Sequence, residues 1–162
     1  MLVLIGDDQS DILEAARLLL KSGGHVAVTA STPNAVLDEA RKQPFDILLL
    51  DLNYARDTTS GGEGLDLLNG LRASGVNAPV LVMTAWGSVG VAVEAMRRGA
   101  IDFIEKPWDN TRLLAAIDRY GSHARSESEV ARRIQQTLLG RSETLIPNLD
   151  YAGRSLPIGD IG

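Results

Sequence analysis

Five short apolar runs, each separated from the next by a stretch with helical spacing, leave this chain few folds to choose from. They are Leu2-Val3-Leu4-Ile5, His25-Val26-Ala27-Val28-Thr29, Asp46-Ile47-Leu48-Leu49-Leu50, Val80-Leu81-Val82-Met83 and Ile101-Asp102-Phe103-Ile104-Glu105. Runs of this length suit strands, and apolar residues at nearly every position rather than at alternate ones suit strands buried on both faces of a parallel sheet. Between them, Ile12, Leu13, Ala16, Leu19 and Leu20 recur at helical spacing after Ser10 and Asp11, which are available as caps, and Gly23-Gly24 end that helix. Thr32-Pro33 opens a second helix with a cap residue and a proline at its first position, and Pro44 stops it. Further helices are predicted over Glu63 to Ala73, Ser88 to Arg98 and Asn110 to Tyr120. Strand and helix in alternation predict an α/β doubly wound five-stranded parallel sheet, covered on both faces and joined by right-handed crossovers.

The residues that end these strands carry the chemistry. Asp7 and Asp8 follow the first, Asp51 ends the third, Thr84 ends the fourth and Lys106 follows the fifth. Carboxyl ends of strands in an open parallel sheet meet at the crevice where ligands bind. Converging carboxylates need a cation, and oxygen ligands suit Mg²⁺ better than a softer metal. A carboxylate that attacks phosphorus faces an anion, so Asp51 as nucleophile calls for Asp7 and Asp8 as ligands of that cation and for Lys106 as an ammonium beside the phosphoryl oxygens.

The set Asp7-Asp8, Asp51, Thr84-Ala85 and Lys106-Pro107 resembles the receiver domain of two-component response regulators. The resemblance implies a flavodoxin-like fold with strand order 2-1-3-4-5 and phosphorylation of Asp51 by a partner sensor histidine kinase. It also implies that the backbone carbonyl of Asn53 is a further Mg²⁺ ligand and that Lys106-Pro107 is a cis peptide. Thr84 and Phe103 look like the family's switch pair, in which the hydroxyl turns toward the phosphoryl group and the ring follows. On this reading the chain catalyses no more than Mg²⁺-dependent phosphorylation and dephosphorylation of its own aspartate. Two departures from the commonest receivers are the long polar loop from Asn53 to Gly62 and Trp86, two residues past Thr84; both are expected to act on water access to the phosphoryl group.

Charge and composition remove several other classes. A net charge of −5 offers no basic footprint, so direct nucleic-acid binding is not expected. No cysteine is present, which fits a reducing compartment. The first apolar run, cut off at once by Asp7 and Asp8, is too short for a leader or a membrane span, and the expectation is a cytoplasmic protein without membrane contact.

Residues 1–120 are therefore read as the receiver, 121–140 as a linker helix and 141–162 as the start of an effector domain. Leu113, Ile117, Tyr120, Ala124, Glu127, Ala131, Ile134 and Leu138 fall in a 4-3 alternation, the spacing of a coiled-coil seam weakened in its middle by Gly121 and Glu127. A homodimer through the fifth and linker helices is expected. Beyond it, Ala131 to Leu139 and Leu149 to Gly162 resemble the leader and first strand of PPM-type serine phosphatases of the bacterial stress and sporulation class. That likeness implies a phosphatase output. The stretches Thr84-Ala85-Trp86-Gly87-Ser88 and Met96-Arg97-Arg98-Gly99-Ala100 look instead like receivers attached to enhancer-binding transcriptional activators, the alternative output.

Overall fold

The computed structural model describes residues 1–54, 62–85 and 87–154, with side chains as far as residue 139. Ten elements alternate along the chain: β1 (Leu2–Gly6), α1 (Ser10–Ser22), β2 (Val26–Ala30), α2 (Pro33–Lys42), β3 (Ile47–Asp51), α3 (Gly62–Ala73), β4 (Val80–Ala85), α4 (Val89–Arg97), β5 (Asp102–Lys106) and α5 (Asn110–Arg154). All pairings are parallel and the sheet order is β2-β1-β3-β4-β5, the α/β flavodoxin-like arrangement expected from the sequence.

The pleat divides the strand residues between two cores. Leu4, Leu48, Leu50, Val80 and Val82 face Val36 of α2, Leu65, Leu68 and Leu71 of α3 and Ala95 of α4. Val3, Ile5, Ile47, Leu49, Leu81 and Met83 face Ala16 and Leu20 of α1 and Leu113 and Ile117 of α5. Strands covered on both sides can be apolar at every position, which is why β3 reads as an unbroken Ile-Leu-Leu-Leu run with no exposed residue.

Local signals account for most element ends. Thr32 caps α2, its Oγ1 accepting a hydrogen bond from the Ala35 N–H at 3.1 Å, with Pro33 in the first turn where its missing donor is not needed. Ser10 and Asp11, expected as caps, lie inside the first turn of α1; Gln9 holds the cap position.

The extended C-terminal helix expected from the sequence is present as α5, which runs through Gly121 and continues past residue 140 to Arg154. Gly121 marks a close approach to the sheet and not a break: a Cβ there would lie 2.6 Å from Met1 Sδ and 3.5 Å from Ile47 Cγ2. Around it, Tyr120 donates its hydroxyl to Asp102 at 2.8 Å and Arg125 Nε stands 3.7 Å from Asp46 Oδ1. The first compact unit accordingly runs from Met1 to Arg125, beyond the boundary placed at residue 120, and the second from Ser126 to Gly162. Where a first phosphatase strand was expected near Leu149, the backbone is helical to Arg154. A strand needs a neighbour to take its backbone hydrogen bonds, whereas a helix satisfies them within one segment.

Candidate functional site

Strand order puts the chemistry in one place. β1 is followed in sequence by β2 on one side and pairs with β3 on the other, so the crossovers diverge between β1 and β3 and leave a crevice at their carboxyl ends. Gly6 is in register with Leu50, which brings Asp7 and Asp8 alongside Asp51. Asp51 is in register with Met83, and Ala85 with Lys106, so Thr84 and Lys106 stand at the same edge.

Oxygen atoms of Asp7, Asp8 and Asp51 lie within 4.8 Å of one another. Asp7 and Asp51 are buried and Asp8 is half-buried. The Asp7 carboxylate is oriented locally, Oδ1 accepting the Gln9 N–H at 2.9 Å, while Oδ2 accepts from Lys106 Nζ at 2.6 Å. The same ammonium stands 3.2 Å from Asp51 Oδ2. One ammonium among three carboxylates leaves negative charge uncompensated, and burial pushes the Asp51 carboxyl up to about 6, against the pull of Lys106 and with the help of the Asp7 charge. Asp8 Oδ1 and Asp51 Oδ1 are buried with no hydrogen-bond partner among the protein atoms. Oxygen-only donors, close spacing, excess negative charge and two orphaned acceptors fit a hard divalent cation such as Mg²⁺.

Thr84 is buried near the end of β4. Phe103, in register with Val82, is half-buried on the face covered by α2, α3 and α4, opposite the face from which Asp102 reaches Tyr120 of α5. The Lys106–Pro107 peptide is cis. Asn53 sits two residues past Asp51, its side-chain oxygen buried and unpartnered. Of the long loop, residues 55–61 lie outside the described residues, as does Trp86.

Tyr54 escaped the sequence reading. Its side chain is 3% exposed, and burial first, then the charges of Asp51, Asp7 and Asp8, raise its phenol far above the usual range. It looked like one more residue of a polar loop; the only available signal was an aromatic ring three positions after Asp51. Its ring also lines a cavity of about 580 Å³ between the starts of α2 and α3, with Asp8, Thr32, Asn34, Glu63 and Asp66.

The model of the response regulator receiver domain matches residues 3–118. The chain belongs to the response regulator receiver family. It is 30% identical over 146 residues to the transcriptional regulatory protein ZraR of Escherichia coli (strain K12), covering 88% of this chain and 32% of that one. It is 36% identical over 135 residues to the transcriptional regulatory protein FixJ of Azorhizobium caulinodans, covering 79% of this chain and 62% of that one. Among solved structures, NtrX from Brucella abortus superposes with a TM-score of 0.72 at 29% identity, over 81% of this chain and 29% of that one. The solved FixJ-N structure gives 0.67 at 33% identity, over 75% of this chain and 94% of that one. The chain thus spans only about a third of ZraR and of NtrX. The two curated relatives are named as transcriptional regulators, so these comparisons lend the phosphatase output no support and favour the alternative weighed against it. No helix among the described residues is long and apolar enough to cross a membrane.

Proposed function

We propose that this receiver accepts a phosphoryl group on Asp51 from a sensor histidine kinase and that the resulting change controls a transcriptional output, in the cytoplasm. The observation that carries the reading is the convergence of Asp7, Asp8 and Asp51 within 4.8 Å, with the Lys106 ammonium against Asp7 and Asp51. A carboxylate oxygen of Asp51 attacks phosphorus, the bond from phosphorus to the donor's nitrogen breaks, and the phosphoryl group remains on Asp51 as an acyl phosphate. Asp7, Asp8, Asp51 and the Asn53 carbonyl would hold Mg²⁺, which when bound would offset the negative charge of nucleophile and phosphoryl oxygens. Lys106, already between Asp7 and Asp51, turns to the transferred oxygens as a point charge.

The switch follows from new acceptors. Phosphoryl oxygens draw the Thr84 hydroxyl inward, and the space it leaves admits the Phe103 ring, which changes the surface formed by α4, β5 and α5. The similarity to ZraR and FixJ, both named transcriptional regulators, supports a transcriptional output over a phosphatase. Incubation with Mg²⁺ and a small phosphodonor is expected to add one phosphoryl group to the wild type and none to Asp51→Asn, read by intact mass. Equal labelling of the mutant, or labelling unaffected by excess chelator, would overturn the site assignment.

A further inference from the structure

Among the described residues, Asp8 Oδ1, Asp51 Oδ1, Asn53 Oδ1 and the Tyr54 hydroxyl are buried without a hydrogen-bond partner, and all four belong to residues at or just beyond the carboxyl ends of β1 and β3. Three of the four are carboxylate or amide oxygens, which accept; the Tyr54 hydroxyl is the one that also donates. Orphaned buried groups destabilise a fold unless something completes them, and their gathering at one place points to a common partner.

The position of the hydroxyl is built by the fold. Tyr54 belongs to the core on the α2–α3 side of the sheet. A Cβ at Gly6 would lie 2.7 Å from Val36 Cγ2, 2.9 Å from Leu50 Cδ2 and 3.0 Å from the Tyr54 hydroxyl oxygen. The missing side chain of Gly6 is therefore the space in which the phenol tip rests, at the residue directly before Asp7. Packing alone would be served by phenylalanine, and it gives no reason to place a hydroxyl in an apolar slot beside the acid cluster.

We propose that Tyr54 is a positioning residue of the divalent-cation site, its hydroxyl donating to oxygen atoms assembled around a bound cation, either the free Asp8 oxygen or a coordinated water. The hydroxyl orients ligands and touches no reacting atom. The inference rests on the cation site proposed above, and it adds a residue from outside the acid set.

Calorimetric titration of the full chain with Mg²⁺, for the wild type, Tyr54→Phe and Asp8→Asn, together with thermal midpoints in excess chelator, tests both. Tyr54→Phe is expected to bind Mg²⁺ on the order of ten-fold more weakly, the usual loss when a group that orients metal ligands is removed. Its metal-free midpoint is expected to equal or exceed that of the wild type, because an orphaned hydroxyl has been removed. Unchanged Mg²⁺ affinity in Tyr54→Phe overturns the role of Tyr54 and leaves the acid site standing. A drop in affinity accompanied by a lower metal-free midpoint assigns Tyr54 to packing and overturns the proposal as well. A wild type that binds no Mg²⁺, or an Asp8→Asn variant that binds it as the wild type does, removes the cation site and Tyr54's role with it.

Discussion

Along α5, Leu113 and Ile117 are fully excluded from solvent, whereas Ile134 and Leu138, three heptads further on at the same spacing, are 56% and 59% exposed. The first pair packs with Leu49, Leu81 and Met83 in the core between sheet and helix. The second pair has Val130 and Leu139 for exposed company. Identical spacing thus means two things: a face already covered by the sheet, and a face with no cover inside its own unit. Charges divide in the same way. Lys106 is held between the buried Asp7 and Asp51, while Arg133 and Glu129 pair at 3.0 Å with both side chains largely in solvent. A row of apolar residues or a charge pair acquires its energetic meaning from what surrounds it.

Truncation is the severest way to test this contrast. Leu113→Ala is expected to cost about 2–5 kcal/mol in denaturant unfolding, since it leaves a cavity under the sheet, while Ile134→Ala is expected to stay within about 0.5 kcal/mol when the protein is dilute. Equal losses at the two positions would mean that the exposed half of α5 is covered after all.

The charges give a somewhat smaller effect with a defined direction. Burial keeps the proton on Asp51 to about pH 6, whereas the unfolded chain releases it near 3.8. The native state therefore holds that proton more tightly, and the stabilisation it brings is complete below about pH 4 and lost as pH rises through about 6. In excess chelator the wild type should lose about 3 kcal/mol across that window, and Asp51→Asn should show a flatter profile. A wild type whose stability rises between pH 4 and 6 would reverse the assignment.

Assembly separates the two halves of α5 by a different measurement. A coiled-coil homodimer, expected from the 4-3 row, would draw its seam from Ala131, Ile134 and Leu138, since Leu113, Ile117 and Tyr120 of that row pack against the sheet. Light scattering at concentrations well above micromolar should give a dimer mass for the wild type and a monomer mass for Ile134→Glu. A monomeric wild type, with and without a phosphoryl mimic, would leave the row without a partner copy.

The smallest effect belongs to the point where the two regimes meet. Gly121→Ala gains roughly 1 kcal/mol of helix propensity but pushes aside the Met1 side chain, so unfolding should report a change within about 1 kcal/mol of either sign. A loss of several kcal/mol would show that Met1 cannot yield and that the approach of α5 to the sheet is tighter than its side-chain contacts imply.

Both the fold and the acid site were legible because they rest on short-range patterns. Strands buried on both faces must be apolar throughout, and Asp7, Asp8, Asp51, Thr84 and Lys106 each stand next to such a run, so finding the runs places the residues. Element ends moved by a residue or so at β2, β5 and α4, where fraying hydrogen bonds set the limit. The close approach of Met1 at Gly121 was not legible, because a glycine in a helical pattern reads only as a weakness until the neighbour that needs its missing side chain is known. Tyr54 was missed for a related reason: nothing local says that a ring in a polar loop turns back beneath β1.

The amino-acid sequence by itself determined the alternation of strand and helix, the parallel sheet, and the acids, threonine and lysine at its carboxyl edge, since periodicity and strand ends are properties of consecutive residues. Tertiary structure alone decided which part of the 4-3 row was already covered, which carboxylate was pushed toward neutral pH, and that the Tyr54 hydroxyl rests in the space left by Gly6. Those outcomes depend on burial and on contacts between residues distant in the chain, and neither quantity exists before the sheet has brought them together.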